Sequence, residues 1–134
     1  MKKLLAVIIL LMLFQTLYSG QVSQNDEEVN KIVSPILENI LSGIEKKDYK
    51  TYSKDFDEAM KEALTESKFE ATQKQINTQF GKITVTKYLG FLNKGSYTQV
   101  IWKGKCDKNN DDVLIQLVVS KRKDGIYIVG LWFK

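Results

Sequence analysis

The sequence predicts an α+β protein in which N-terminal helices are packed on one face of a four-stranded antiparallel sheet. Three observations predict it. Apolar residues recur at helical spacing through the first half of the chain. From Lys82 to Phe133 they give way to four strand-like stretches joined by short polar turns. The two kinds of segment do not alternate, which is the pattern of helices segregated to one side of a sheet. At 134 residues the chain has room for a single domain.

The first stretch reads as an export signal rather than as part of that domain. Lys2 and Lys3 precede an unbroken apolar run, Leu4 to Phe14, and small residues, Ser19 and Gly20, close the segment. This is the layout of a secretory signal peptide over residues 1–20. The run is 11 residues long, well short of the roughly 20 that a spanning helix needs. Gln21 stands where a lipoprotein site would carry a cysteine. The expectation is therefore a secreted or extracytoplasmic protein with no membrane anchor once the signal is removed. Gln21 to Glu28 is polar and aperiodic, a flexible lead over residues 21–28, which leaves 29–134 as the folded domain.

Val29, Ile32, Val33, Ile36, Leu37, Ile40, Leu41 and Ile44 fall on one helical stripe. Pro35 means either that Ser34 caps a helix beginning at Pro35 or that a longer helix bends there. Asp48 is placed to cap a second amphipathic helix carrying Tyr49, Tyr52, Phe56, Met60 and Leu64, with a break near Ser53. A third, weaker helix runs from Phe69 to Phe80, with Phe69, Thr72, Gln73, Ile76 and Phe80 on one side, and stops at Gly81.

The strands follow at once. Lys82 to Leu92 alternates through Ile83 and Val85, with Lys87 out of pattern and Gly90 marking a bulge. Asn93-Lys94-Gly95 turns into Ser96 to Cys106, and Lys108 to Asp111 into Val113 to Val119. Lys123-Asp124-Gly125 is a tight hairpin signal before Ile126 to Phe133. Connections this short require antiparallel neighbours.

Charge is uneven along the chain. The whole sequence has net charge +4, and the chain after Gly20 has 18 basic against 16 acidic side chains. Residues 21–79 carry net −4 and residues 80–134 net +6. An overall balance so near neutral, in an exported chain, gives no support to a nucleic-acid partner, although Tyr97, Trp102 and Tyr127 interleave with basic residues.

Several chemistries are excluded outright. The sequence contains no histidine, so no histidine base, no Ser-His-Asp or Cys-His arrangement and no ordinary zinc site can be built. The single cysteine, Cys106, has no intrachain disulfide partner, and Asp107 beside it opposes thiolate formation. No glycine cluster precedes a helix to cradle phosphate. The Asp107 to Asp112 stretch lacks the central Gly and terminal Glu of a calcium loop. No cofactor and no metal are expected.

The stretch Asp48 to Leu64, with its Asp55-Phe56-Asp57-Glu58-Ala59-Met60 run, together with Phe69, Gly81 and the Gly95-Ser96-Tyr97-Thr98 strand start, resembles the family called domain of unknown function 3887. That family resembles the nuclear-transport-factor-2-like, or cystatin-like, superfamily, in which helices close over a strongly curved sheet to make a cone. The resemblance implies a cone interior, for which Tyr49, Tyr52, Phe56, Tyr97, Trp102 and Tyr127 are the candidate binding residues. It does not imply an activity, because superfamily members include isomerases, dehydratases, and binding and dimerisation modules.

Two functions fit these residues. One is a small non-enzymatic binding or assembly module. Both faces of the sheet carry apolar side chains, and Ile101, Val118, Ile128 and Trp132 would form a patch on the face away from the helices, fit for a homodimer. The other is a small-molecule enzyme of isomerase or hydratase type, with tyrosines and Asp55 or Asp57 converging in the cone. A small apolar ligand or an extracytoplasmic protein is the remaining class of partner. A filled interior favours the module, and an open pocket with converging phenols and carboxylates favours the enzyme.

Overall fold

The computed structural model describes residues 19–134. The basic and apolar parts of the expected export signal lie outside the described residues. Four helices precede the long strands: α1 (Asp26–Lys46), α2 (Tyr49–Tyr52), α3 (Glu58–Ala63) and α4 (Glu66–Gln79). The strands are β1 (Ser19–Gly20), β2 (Ile83–Lys94), β3 (Tyr97–Cys106), β4 (Asp112–Arg122) and β5 (Gly125–Phe133). The α+β arrangement, with helices N-terminal to a curved antiparallel sheet, is the predicted one.

The stripe Val29, Val33, Leu37, Ile40 and Ile44 is buried along α1. Each such side chain contributes about 1.5–3 kcal/mol when fully removed from water. Pro35 lies inside α1 rather than at its start. It cannot donate to the turn before it, yet it sits on the exposed side, and the helix runs through. Ser34 is not a cap; its hydroxyl pairs with the Asn30 side chain one turn earlier. The cap is Asn25, whose side chain accepts from Glu28 N at 3.1 Å, with Asp26, Glu27 and Glu28 facing the positive helix end.

Residues 21–28, expected to be a flexible lead, are tied down. Val22 is 4% exposed and its amide donates to Thr98 Oγ1 at 2.9 Å. Asn93 Nδ2 donates to Ser23 O at 2.9 Å. Residues 26–28 are the first turn of α1. A single buried valine and a few long-range hydrogen bonds are too small a signal to register as periodicity.

α1 ends at Lys47, whose φ of 55° is left-handed and whose amide donates to Gly43 O and Ile44 O. α2 then crosses α1 at Gly43, where an added Cβ would stand 2.5 Å from Tyr52 N. The expected second helix is split: Ser53 to Asp57 leave the helical path and dock on β5. Phe56 bridges Ile128 in parallel, Ile128 N donates to Asp55 O at 2.7 Å, and Asp57 N donates to Ile128 O at 3.2 Å. The otherwise free edge of β5 is covered in this way.

β2, β3, β4 and β5 pair antiparallel in sequence order, and β1 adds two residues to β4 opposite Lys121 and Arg122. Register slips leave Thr86 and Leu89 unpaired in β2 and Val129 unpaired in β5. Such bulges bend their strands and strengthen the local twist. At the second β2 slip, where Leu89 is left out, Gly90 beside it takes the φ of 144° that its lack of a side chain allows.

Candidate functional site

The helix-side face of the sheet is filled. Val100, Trp102, Val113, Ile115, Leu117, Val119 and Ile128 are all 2% exposed or less. Trp102 is the largest, and Tyr88 meets it edge-on with ring centroids 6.3 Å apart. Above them Tyr52 stacks on Phe69 at 4.7 Å and meets Phe56 edge-on at 5.0 Å. Tyr49 stands 5.7 Å from Phe69, and its hydroxyl donates to Leu64 O at 2.7 Å. Burial, with Tyr49 alongside, pushes the Tyr52 phenol up to about 12.

Of the six expected interior residues, Tyr52, Phe56 and Trp102 are thus core side chains, and half-buried Tyr49 packs against that core. The other two are elsewhere. Tyr97 is 47% exposed at an outward position of β3. Tyr127 opposes Ser120 on the outward positions of β5, donates to Asp124 Oδ2 at 2.7 Å and lies under the Arg122 guanidinium at 5.2 Å. The period-2 alternation of β3 separates Tyr97 from Val100 and Trp102 by parity alone.

Within the Asp55 to Met60 run the Asp57 carboxylate is structural. Asp57 accepts from Met60 N at 2.8 Å as the cap of α3 and from Arg122 Nη2 at 3.0 Å. Phe56 is 1% exposed, and Asp55 contributes its carbonyl to β5. Tyr49 shares a rim cavity with Glu66 and Glu70, and Tyr88 shares another with Glu38, but the Tyr49 hydroxyl is given to Leu64 O and that of Tyr88 to Asp26 rather than to those carboxylates. Tyr88 meets Asp26 at 3.0 Å, at the exposed start of α1, and burial and that carboxylate raise its pKa.

The outward face is a different surface. Leu92, Gln99, Val118 and Gly130 form one cross-strand row, and Gly90, Ile101, Gln116 and Trp132 the next. Leu92 and Trp132 are each 48% exposed, while Ile101 and Val118 are half-buried. Gly130 explains the posture of Trp132: a Cβ there would stand 2.5 Å from the indole Cη2, so the ring lies back over its own strand beside Val118. Ile101, Val118 and Trp132 are brought together as expected from the sequence. Ile128 is not, because the bulge at Val129 flips the first half of β5 and turns Ile128 into the core at 1% exposure.

Lysines rim this face. Lys87 stands directly opposite Lys103, and Lys105 pairs with Asp112 at 2.8 Å. That hydrogen bond, with the field of Lys105 and Lys103, holds the Asp112 carboxyl below its usual range. Leu92, Tyr97 and Gly130 were not singled out for this face from sequence; strand parity on both sides of the bulges is what would have found them.

Cys106 is half-buried near Asn109, 3.6 Å from its Oδ1. Three cavities open around the rim of the core: one of about 280 Å³ among α1, α4 and the start of β2, one of about 210 Å³ between α1 and β2, and one of about 200 Å³ against α4. No helix among the described residues is long and apolar enough to cross a membrane.

A family model described as "Protein of unknown function (DUF3887)" matches residues 37–122. The chain belongs to this family. The match opens at Leu37 in the buried stripe of α1 and closes at Arg122, the partner of Asp57. The DUF3887 region therefore spans both ends of the ion pair that anchors the Asp55 to Met60 run to the sheet. Neither a curated protein nor a solved structure matches the chain. Kinship of DUF3887 with the nuclear-transport-factor-2-like superfamily rests on the sequence resemblance alone.

Proposed function

We propose that this DUF3887 chain is an exported, non-enzymatic binding or assembly module whose working surface is the sheet face turned away from the helices. The observation that carries the proposal is the contrast between the two faces. The helix side is filled by Trp102 and its neighbours, whereas Leu92 and Trp132 on the other side are each 48% exposed. Ile101 and Val118 join them into one apolar patch. Large apolar side chains placed side by side in this way mark interaction surfaces more often than isolated ones do.

The partner is a second copy of the chain. Gln99 and Gln116 sit within the patch, and an amide both donates and accepts, so each can pair with itself across a two-fold axis. Stable association needs about 1,000 Å² or more in total, so the neighbouring outward side chains Leu114 and Tyr97 must join the contact on both copies.

Trp132→Lys and Ile101→Lys test it by sedimentation. The unsubstituted chain, beginning at Gln21, is expected to sediment as a dimer at tens of micromolar, a range typical of modest interfaces, and both variants as folded monomers. Variants that sediment as the parent does would remove the outward face from consideration.

A further inference from the structure

α4 carries one side chain out of keeping with its stripe. Phe69, Gln73, Ile76 and Phe80 recur at the helical spacing of a buried face, and three of the four are apolar. Gln73 is 9% exposed. Its amide makes no hydrogen bond among the described residues, and no buried polar side-chain atom among them is left without a partner. The amide therefore opens into the cavities beside it. It lines both the 280 Å³ cavity and the 200 Å³ cavity, and Lys47 is the other residue common to the two.

The larger cavity has an apolar floor of Leu41, Ile44, Ile76 and Ile83. Its volume lies just under the roughly 300–1,000 Å³ of clefts that take drug-sized ligands, which limits the occupant to a small molecule. At the mouth Lys82 pairs with Glu45 at 3.2 Å, so the Glu45 charge is already countered there. The Lys47 ammonium and the side-chain amides of Gln73 and Asn77 are donors available to a guest, and of the three only Gln73 is buried. Because the Gln73 amide opens into the cavity, a guest carboxylate that accepts from it replaces a hydrogen bond to water with one to a charged group, worth more in a site walled by apolar side chains.

We propose that this cavity binds a short-chain aliphatic carboxylate, the hydrocarbon lying on Leu41, Ile44, Ile76 and Ile83 and the carboxylate accepting from Gln73 and Lys47. The site is separate from the outward sheet face, so it stands or falls independently of self-association. Lys47 holds its place because its left-handed backbone caps α1. Gln73 holds its place by position in the α4 stripe.

Octanoate titrated into the full chain from Gln21 onward, followed by methyl and side-chain amide NMR, tests the proposal. Saturable shifts are expected at Ile44, Ile76 and Ile83 methyls and at the Gln73 amide, at one octanoate per chain. Gln73→Leu is expected to weaken octanoate about tenfold or more, the loss of one hydrogen bond to a charged group, while raising the Tm. Lys47→Asn, which suits the left-handed backbone, is expected to weaken octanoate but not octanol. Absence of shifts at these methyls at millimolar octanoate overturns the site. Equal binding of octanol and octanoate overturns the assignment of the carboxylate. Unchanged affinity in a folded Gln73→Leu overturns the role of the amide.

Discussion

Asp57 does two jobs with one carboxylate, capping α3 and pairing with Arg122 across the edge of β5. Removing both in Asp57→Ala is expected to cost about 2 kcal/mol, about 1 for the cap and up to about 1 for a partly exposed pair. Asp57→Asn keeps an accepting oxygen for Met60 N and should lose about half as much. Equal losses in urea unfolding would place the whole effect in the ion pair with Arg122. Gly43→Ala tests packing at the same scale. The new Cβ meets the Tyr52 backbone at 2.5 Å and has nothing flexible to displace, so a loss of about 1–3 kcal/mol is expected from overpacking.

At the scale of elements, α2 depends on its cap. Thr51 donates to Asp48 from its hydroxyl at 2.6 Å and from its amide at 3.3 Å. The hydroxyl hydrogen bond is the larger cause of an Asp48 carboxyl held below 3.8. A depressed folded-state value means that this support is present above the unfolded value and is lost as pH falls through the folded one. The Tm should therefore drop below about pH 4, and drop less in Asp48→Asn. Tyr52 behaves oppositely. Its phenol is raised from 10.0 to about 12, so its neutral form supports the fold below pH 10 and that support is lost as pH rises through about 12. Tyrosinate absorbance from Tyr52 is expected to appear only with unfolding, and a Tyr52→Phe chain should lack that late component.

The same elements show what was legible in the sequence. Period-3.6 and period-2 patterns predicted three helical regions and four long strands because burial of one face imposes those spacings. The break at Ser53, the Asp48 cap and the outward placement of Ile101, Val118 and Trp132 were readable for the same reason. The bulge at Val129 was not, since β5 is apolar at nearly every position and no alternation marks where parity changes; Ile128 was misplaced on that account. Tyr97 and Tyr127 were assigned to an interior by resemblance, whereas strand parity sends them outward. Gln73 was visible as the polar member of an apolar stripe, but its lack of a partner is a property of the packed structure alone.

For the whole molecule, the acidic helical half and the basic sheet half are one packed unit, held by α1 across the sheet and by the Phe56 to Asp57 strap on β5. On the proposed reading, the filled core leaves the outward face as the side that a second copy covers. Among the described residues, removing those before Gln21 deletes the two-residue β1 and leaves the Val22 to Thr98 hydrogen bond, and a chain from Gln21 is expected to unfold cooperatively. Light scattering on that chain over a concentration series measures the central claim most directly. A mass moving from one chain to two as concentration rises, with Trp132 fluorescence protected from quenching in the same range, is the predicted result. A mass of one chain at millimolar concentration would contradict it.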